Sequence, residues 1–233
     1  MSKGPDVPIR PHKAELFDHA IRTHGITSFA DLGGCWGVNA GYTLHALARH
    51  PSIQRAYVAD QHVTPLSRQR GAAYPQLAFL TGIINRAEFV EAFPAVDALV
   101  MYDILLHQVN LNWDAFLSAW ATKARVLVIY NQNWSLDPRT VRFIDRGRDW
   151  YKQYVFHTRA EAIDQWFDQH DVIDPQLNCP RRDVHNFWQW GITRDDLIAH
   201  VEGLGFRLTY FQDYGPFMNV AHIPQQGFVF VRK

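Results

Sequence analysis

Asp31 is followed by a glycine-rich turn, and this combination can bind a small charged ligand. The acid lies near the end of the mostly apolar run 29–32, and Gly33, Gly34 and Gly37 follow it closely. Glycine lets a backbone approach a ligand, and the helix expected after the turn directs free N–H groups and a positive dipole end to the same place. An acid in that position favours a ligand with positive charge over a phosphate.

The spacing of the glycines indicates which nucleotides are disfavoured. The dinucleotide fingerprint GxGxxG fits in no frame, because Gly33 is followed by Cys35 and Val38, so NAD and FAD are disfavoured. The pattern that fits is DxGxxxG, from Asp31 to Gly37.

A second acid, Asp60, ends the next predicted strand, 54–60, and lies 23 positions after Gly37. This is close to the spacing at which such acids bind ribose hydroxyls. The alternative is that Asp60 caps a helix that starts at Thr64 and Pro65. The pair of acids predicts a ligand of adenosyl type.

The turn and the second acid together resemble motif I and the ribose-binding acid of the class I S-adenosylmethionine-dependent methyltransferases, of the type that acts on small molecules. This resemblance implies S-adenosyl-L-methionine as the cofactor, which carries an ammonium and a sulfonium but no phosphate. It implies a small-molecule methyl acceptor as the partner. Cys35 departs from the family, whose usual turn has a glycine there, so we expect the loop to lie slightly farther from the ligand.

The resemblance also implies which residues bind the cofactor. The predicted cofactor-binding residues are Asp31, Gly33, Gly34, Cys35 and Gly37 in and before the turn, Asp60 at the ribose, Ile83 and Ile84 at the adenine, and Gln61 and Asp103. The alternative for the two isoleucines is that they enter the core. His107, in a stretch that resembles the segment near the transferred methyl, is the predicted catalytic residue, and its alternative is a structural, hydrogen-bonded histidine.

The order of predicted elements indicates a doubly wound α/β fold, a mostly parallel Rossmann-like sheet with an antiparallel last strand. Strands are expected at 29–32, 54–60, 76–80, 96–103 and 124–131, with helices between them. The last two strands, 206–211 and 227–231, have no long helix between them and must pair antiparallel. The first eleven residues are expected to form an extended arm.

Residues 131–192 interrupt this alternation and hold five of the eight tryptophans. We expect a helical, aromatic-rich insertion in a single domain, 1–233, that covers the ligand crevice and binds the acceptor through Tyr130, Trp134, His157 and Trp188. The alternative is that its aromatic residues form a small core of their own.

Composition excludes several other classes of function. The chain has 23 acidic and 23 basic residues, so no net charge attracts it to nucleic acid or to an anionic membrane. Two cysteines, Cys35 and Cys179, cannot form a disulfide framework, and no run of 18 apolar residues occurs, which predicts a cytoplasmic protein without a membrane partner. The sequence contains no paired Cys/His motif, so no metal is predicted. The oligomeric state is not predicted.

Other functions remain as alternatives to methyl transfer. The chain could bind S-adenosylmethionine as a catalytically silent regulatory protein, and no residue in the sequence excludes this. A different nucleotide is disfavoured by the missing GxGxxG and by Asp31, and methylation of nucleic acid by the neutral charge.

Overall fold

A seven-stranded sheet forms the centre of the computed structural model, which describes residues 8–155, 160–175, 178–184 and 187–233. The strands are β1 (Ser28–Leu32), β2 (Arg55–Asp60), β3 (Leu77–Thr81), β4 (Val96–Tyr102), β5 (Ala124–Gln132), β6 (Val141–Arg142), β7 (Ile173–Asp174), β8 (Cys179–Pro180), β9 (Trp190–Gly191), β10 (Phe206–Phe217) and β11 (Val220–Arg232). The helices are α1 (Pro11–His24), α2 (Gly41–Arg49), α3 (Pro65–Gly71), α4 (Ala87–Ala92), α5 (Trp113–Ala121), α6 (Arg148–Tyr154), α7 (Ala160–Gln169) and α8 (Arg194–Gly203).

The strand order in the main sheet is β3-β2-β1-β4-β5-β11-β10. Strands β1 to β5 pair in parallel, whereas β11 pairs antiparallel with both β5 and β10. The predicted fold class, including the antiparallel last strand, is confirmed. The final hairpin is longer than predicted, because its pairing continues to Phe217 and Val220 beyond the apolar parts of the two strands.

Helices cover both faces of the sheet, as the apolar strands require. Leu16, Phe17, Ala20 and Ile21 of α1 belong to a buried cluster with Phe29 on one face. On the other face the core is built from α4, α5 and α8 against β1, β4, β5 and β11. Each helix is placed by its own apolar stripe.

Two helix ends follow directly from local sequence. Gly25 ends α1 in the left-handed conformation with φ of +56°, and Thr193 caps α8 by accepting a hydrogen bond of 3.3 Å from the backbone N–H of Asp196. At its start, α1 begins at Pro11, the residue at which we expected an extended arm to end. Proline suits the first helical turn because a backbone N–H at that position would have no partner within the helix.

The described part of the region 131–192 consists of short elements. Gly147, with φ of +87°, separates a 3₁₀ turn at Phe143–Arg146 from α6, so this stretch is not one continuous helix. Three of its described arginines form ion pairs: Arg139 with Asp196 at 3.2 Å, Arg142 with Asp183 at 2.6 Å and Arg146 with Asp137 at 2.6 Å.

Candidate functional site

Polar side chains gather where the parallel strands end, at an edge of the sheet that we call the carboxyl rim. Asp31 and Asp60 lie at the ends of β1 and β2, Asp103 directly follows β4, and Asn131 lies near the end of β5. Neighbouring strand ends are joined by backbone hydrogen bonds, of which that from Asp103 N–H to the Tyr130 carbonyl measures 2.9 Å. All four polar residues thus lie at strand ends along this rim.

Asp31 is buried against the glycine turn. It is 3% exposed, and its Oδ2 accepts a hydrogen bond of 2.8 Å from Thr43 Oγ1 on α2. Burial raises the pKa of Asp31 to about 7, the Thr43 hydrogen bond acts against this, and the nearby charge of Asp60 adds to it. A Cβ at Gly34 would lie 2.5 Å from Oδ2, so only glycine fits beside this carboxyl.

Asp60 holds the turn through backbone hydrogen bonds. Its Oδ2 accepts a bond of 3.0 Å from the N–H of Cys35, and its Oδ1 accepts one of 2.8 Å from the N–H of His62. Each carboxylate oxygen retains a further acceptor position, because a carboxylate has about four lone-pair sites. The alternative role for Asp60 is taken by another residue, since Thr64 caps α3 by accepting from the N–H of Ser67 at 3.0 Å.

Cys35 contributes its backbone to the turn. Its side chain is buried in a small apolar cluster with Ala40 and Val58, and burial raises the pKa of the thiol to about 11. Both cysteines of the chain are free and buried. The side chain that replaces the family's glycine therefore packs among apolar neighbours, and the backbone N–H of Cys35 donates to Asp60.

Lys13 of α1 places a buried cation at the carboxyl rim. Its side chain is 6% exposed, and its Nζ contacts Oδ2 of Asp103. Three tyrosine rings, which we call the tyrosine cage, surround the ammonium at centroid distances of 4.6 Å (Tyr130), 5.7 Å (Tyr102) and 5.8 Å (Tyr42). Burial lowers the pKa of Lys13, and the charge of Asp103 opposes that effect.

The rest of the first turn of α1 is tied to the same place. Tyr130 is fully buried, and its hydroxyl lies 2.9 Å from Nε2 of His12 and donates to Oε1 of Gln225 at 3.0 Å. The Tyr102 hydroxyl donates to the carbonyl of Lys13 at 2.7 Å. Lys13, Tyr42 and Tyr102 were missed as site residues, although Lys13 shares the buried helix face of Phe17 and Ala20 at spacings of four and seven residues.

Asp103 and His107 occupy the turn after β4. Asp103 has φ of +54°, a conformation that is uncommon for a residue other than glycine and is often found at functional sites. His107 lies in a 3₁₀ turn, and its Nδ1 is 2.8 Å from the carbonyl of Phe187. The histidine therefore links this turn to the region 131–192.

Buried amides lie at the end of β5, at the rim, where Asn131 and Gln132 are its last residues and Asn133 follows it. Asn131 donates to Oδ1 of Asn133 at 2.9 Å, but Asn131 Oδ1, Gln132 Oε1, Asn133 Nδ2 and Gln226 Oε1 have no hydrogen-bond partner among the described residues. Buried polar atoms are normally paired, so these atoms have capacity for a ligand or water. Three consecutive amides after an apolar strand were the signal in the sequence that could have pointed to them.

The fold is similar to solved methyltransferase structures. An O-methyltransferase family protein from Burkholderia thailandensis matches with a TM-score of 0.58 and 14% identity, over 96% of this chain and 55% of that one. A 1,6-didemethyltoxoflavin-N1-methyltransferase from the same species, with bound S-adenosylhomocysteine, gives a TM-score of 0.60 and 12% identity over 96% and 77%. Magnesium protoporphyrin IX methyltransferase from Synechocystis gives 0.57 and 12% over 98% and 90%.

These likenesses concern the path of the chain. The chain spans 53–55% of the length of three of the matching proteins. No protein-family model matches the sequence, and no curated protein matches it. The match extends over nearly the whole chain and includes the sheet in which β11 runs antiparallel between β5 and β10. The chain has the class I methyltransferase fold.

Within the class I methyltransferase fold, three of the predicted cofactor-binding residues take separate positions. Gln61 is exposed after β2. Ile83 lines a surface groove beside α4, whereas Ile84 packs against the core and its carbonyl accepts a bond of 2.8 Å from Trp120 Nε1. The packing of Ile84 matches the alternative stated for it, and the cofactor-binding role of all three residues stays a prediction.

The predicted acceptor residues are also divided in the methyltransferase fold. Trp134 is 3% exposed and packs in a cluster with Phe143 at 4.9 Å and His222 at 5.1 Å between ring centroids. It lines, with Gln132, Asn133, Phe143, Trp188, Trp190 and Ile223, a cavity of about 10 Å³. Tyr130 lies in the tyrosine cage instead, and His157 lies outside the described residues. Their role in binding an acceptor stays a prediction.

Two further observations concern the described part of the methyltransferase fold. None of its helices is both long and apolar enough to cross a membrane. No three histidine, cysteine or acidic side chains among the described residues are grouped so that they could hold a metal ion.

Proposed function

We propose that this protein transfers a methyl group from S-adenosyl-L-methionine to a small-molecule acceptor. The observation that carries the proposal is the hydrogen bond from Cys35 N–H to Asp60, which joins the glycine turn and the second acid into one site. The class I methyltransferase fold supports it, because proteins of similar fold were solved with S-adenosylhomocysteine bound.

The chemistry of the rim fits this cofactor. Asp31 and the turn that includes Gly34 would hold the methionine part, and Asp60 would accept from the ribose hydroxyls through the lone pairs that its backbone bonds leave unused. The place beside Asp103 already holds a cation, the ammonium of Lys13, among aromatic faces. A rim built of acids and aromatic rings suits a ligand with positive charge.

When bound, the cofactor would supply an electrophilic methyl group on a sulfonium, which the acceptor attacks in line while S-adenosylhomocysteine leaves with the electron pair of the broken C–S bond. The protein has to align the two reactants and exclude water, and no enzyme nucleophile is required. We assign the removal of the acceptor's proton to His107. A bond from Nδ1–H to the Phe187 carbonyl leaves Nε2 as the basic nitrogen, and His107→Gln is expected to lower turnover about 10²-fold without changing cofactor affinity.

The acceptor would bind on the side of residues 131–192, which we propose as a covering part of one domain. The buried amides at the end of β5 offer an unpartnered donor, Asn133 Nδ2, and unpartnered acceptors, Asn131 Oδ1 and Gln132 Oε1. Trp134 and Trp188 line the cavity beside them. Flat aromatic walls with a few polar atoms are typical of sites for small organic molecules, but this cavity of about 10 Å³ would have to open to admit one.

Calorimetric titration of the protein with S-adenosylmethionine, S-adenosylhomocysteine and NAD tests the proposal. We expect both sulfur nucleotides to bind and NAD not to bind. Turnover is then measured with methyl-labelled cofactor and a panel of phenols, amines and heteroaromatic amides. Binding of NAD in place of the sulfur nucleotides would overturn the proposal, and tight cofactor binding without transfer to any acceptor would favour a silent binding protein.

A further inference from the structure

The ammonium of Lys13 is enclosed by groups that recognise cations. The tyrosine cage supplies three aromatic faces, and Asp103 supplies a carboxylate in direct contact. Only 6% of the Lys13 side chain is exposed, although lysine is almost never fully buried without a partner. The residues of the cage come from α2, β4 and β5, so the tertiary structure assembles it at the carboxyl rim.

The charges that face this ammonium favour a cation of any kind. Two negative groups, Asp103 and Asp31, act electrostatically on Lys13, whereas one positive group, Arg10, opposes them. Oδ1 of Asp103 is buried and has no hydrogen-bond partner among the described residues. The site therefore has acceptor capacity that the lysine leaves unused.

We propose that the tyrosine cage and Asp103 form a binding site for a methylated onium ion, and that Lys13 is an internal occupant which such a ligand displaces. An onium ion with methyl groups suits the cage better than an ammonium does. An ammonium is strongly hydrated and loses three hydrogen bonds to water on burial, whereas methyl groups on a cation lie against aromatic faces with little desolvation cost. Aromatic cages bind methylated ammonium ions for this reason.

The first turn of α1 holds Lys13 in the cage and would have to move with it. Its ties are the bond of 2.7 Å from the Tyr102 hydroxyl to the Lys13 carbonyl, the bond of 3.0 Å from Arg10 N–H to the Tyr42 hydroxyl, and the bond of 2.7 Å from Arg10 to Gln225. Two of these three bonds are made to tyrosines of the cage. Release of Lys13 therefore loosens the start of α1, and an occupied cage excludes Lys13.

The sulfonium of S-adenosylmethionine is the onium ion that the site would take, and this identification rests on the proposed function. The cage lies at the ends of β4 and β5, and β4 pairs with β1, whose Asp31 acts electrostatically on Lys13. S-adenosylhomocysteine has no charge on sulfur, so it gains nothing from the cage. Lys13 would then compete with the methyl donor and leave the product unaffected.

The test removes the occupant and supplies a simple ion. Lys13→Ala and wild-type protein are titrated calorimetrically with tetramethylammonium and with its neutral isostere tert-butanol. We expect Lys13→Ala to bind tetramethylammonium at least about 10-fold more tightly than tert-butanol, and wild-type protein to bind neither measurably. Lys13→Met, which keeps an unbranched apolar side chain, replaces the alanine variant if the latter does not fold.

A matched pair of variants distinguishes the contribution of the aromatic ring to binding from an effect on folding. In the Lys13→Ala background, Tyr130→Phe keeps the aromatic face and should keep tetramethylammonium binding, whereas Tyr130→Leu should abolish it. Melting temperatures of the two variants show whether both are folded. Equal binding by the two, or no binding by Lys13→Ala in a folded state, would overturn the onium site.

Titration of the same variants with S-adenosylmethionine and S-adenosylhomocysteine distinguishes the onium site from the proposed function. If both hold, Lys13→Ala raises affinity for S-adenosylmethionine about 10-fold relative to S-adenosylhomocysteine. If tetramethylammonium binds but neither sulfur nucleotide does, the onium site stands and the proposed function fails. If both nucleotides bind with an unchanged ratio, or the methyl donor binds more weakly, Lys13 is not a competitor and this inference fails while the proposed function stands.

Discussion

The backbone N–H of Cys35 donates a hydrogen bond of 3.0 Å to the carboxylate of Asp60, across a separation of 25 residues. This bond ties the glycine turn after β1 to the end of β2. Because Asp60 also accepts from His62 at 2.8 Å, its carboxylate is held in one orientation before any ligand arrives. A preorganised acceptor loses less entropy when it binds a ribose than a mobile one does.

Asp60→Ala should weaken S-adenosylmethionine binding by about 1.5–3 kcal/mol, because it removes a charged acceptor from the ribose hydroxyls. It should also lower the melting temperature, since two backbone N–H groups lose their acceptor. Asp97→Ala is the matched control. Asp97 accepts from the N–H groups of Thr27 and Ser28 at the opposite end of the sheet, so its loss should lower stability alone. Calorimetric affinities that fall equally in both variants would contradict the ribose role.

Gly34→Ala should disrupt the turn, because the new Cβ would lie 2.5 Å from the Asp31 carboxylate. We expect a loss of about 1–3 kcal/mol in the free energy of unfolding together with a loss of cofactor binding. Gly203→Ala, in α8 where a Cβ meets nothing within 4 Å, should be neutral or slightly stabilising. Urea denaturation of the two variants provides the comparison, and a Gly34→Ala protein as stable as wild type would show that the turn is not constrained by Asp31.

The stability of the protein without ligand should depend on pH through Asp31. Burial raises the pKa of Asp31 from 3.8 to about 7 in the folded protein. The stabilisation from this group is therefore complete below the unfolded value and is lost as pH rises through about 7. Asp31→Asn keeps an acceptor for Thr43 and cannot ionise, so the melting temperature of wild type should fall relative to this variant between pH 4 and 8. A difference that is constant across this range would show that Asp31 is ionised throughout.

Trp134→Ala should lower the free energy of unfolding by about 3–5 kcal/mol, because its indole is buried among aromatic neighbours. Asn133→Ala removes the unpartnered Nδ2 at the same cavity together with the Oδ1 that accepts from Asn131, so it should lower stability by only about 1 kcal/mol. If the cavity receives the acceptor, the asparagine variant loses turnover with unchanged cofactor affinity. Normal turnover by Asn133→Ala would show that the acceptor does not bind in this cavity, and the acceptor site would then be sought near His107 and α1.

Local patterns in the sequence were enough to predict most of the fold. The alternation of apolar strands and helices, the absence of a helix between β10 and β11, and the cap at Thr193 depend on neighbouring residues and on backbone sterics, which the sequence states directly. The same holds for the acid and glycines from Asp31 to Gly37. The ends of elements were predicted less well, as at the long final hairpin. The length of a paired strand depends on how far its partner strand extends, which local sequence does not specify.

Only the tertiary structure decided which side chains meet at the carboxyl rim. Lys13 reaches Asp103 across 90 residues, and three tyrosines from different elements surround it, because α1 packs over the ends of β4 and β5. The orientation of Trp134 into an aromatic cluster was likewise open until Phe143 and His222 were placed beside it. Residue types and spacings specify what a side chain can do, but its partners depend on strand register and on the packing of helices over the sheet, which involve residues distant in sequence.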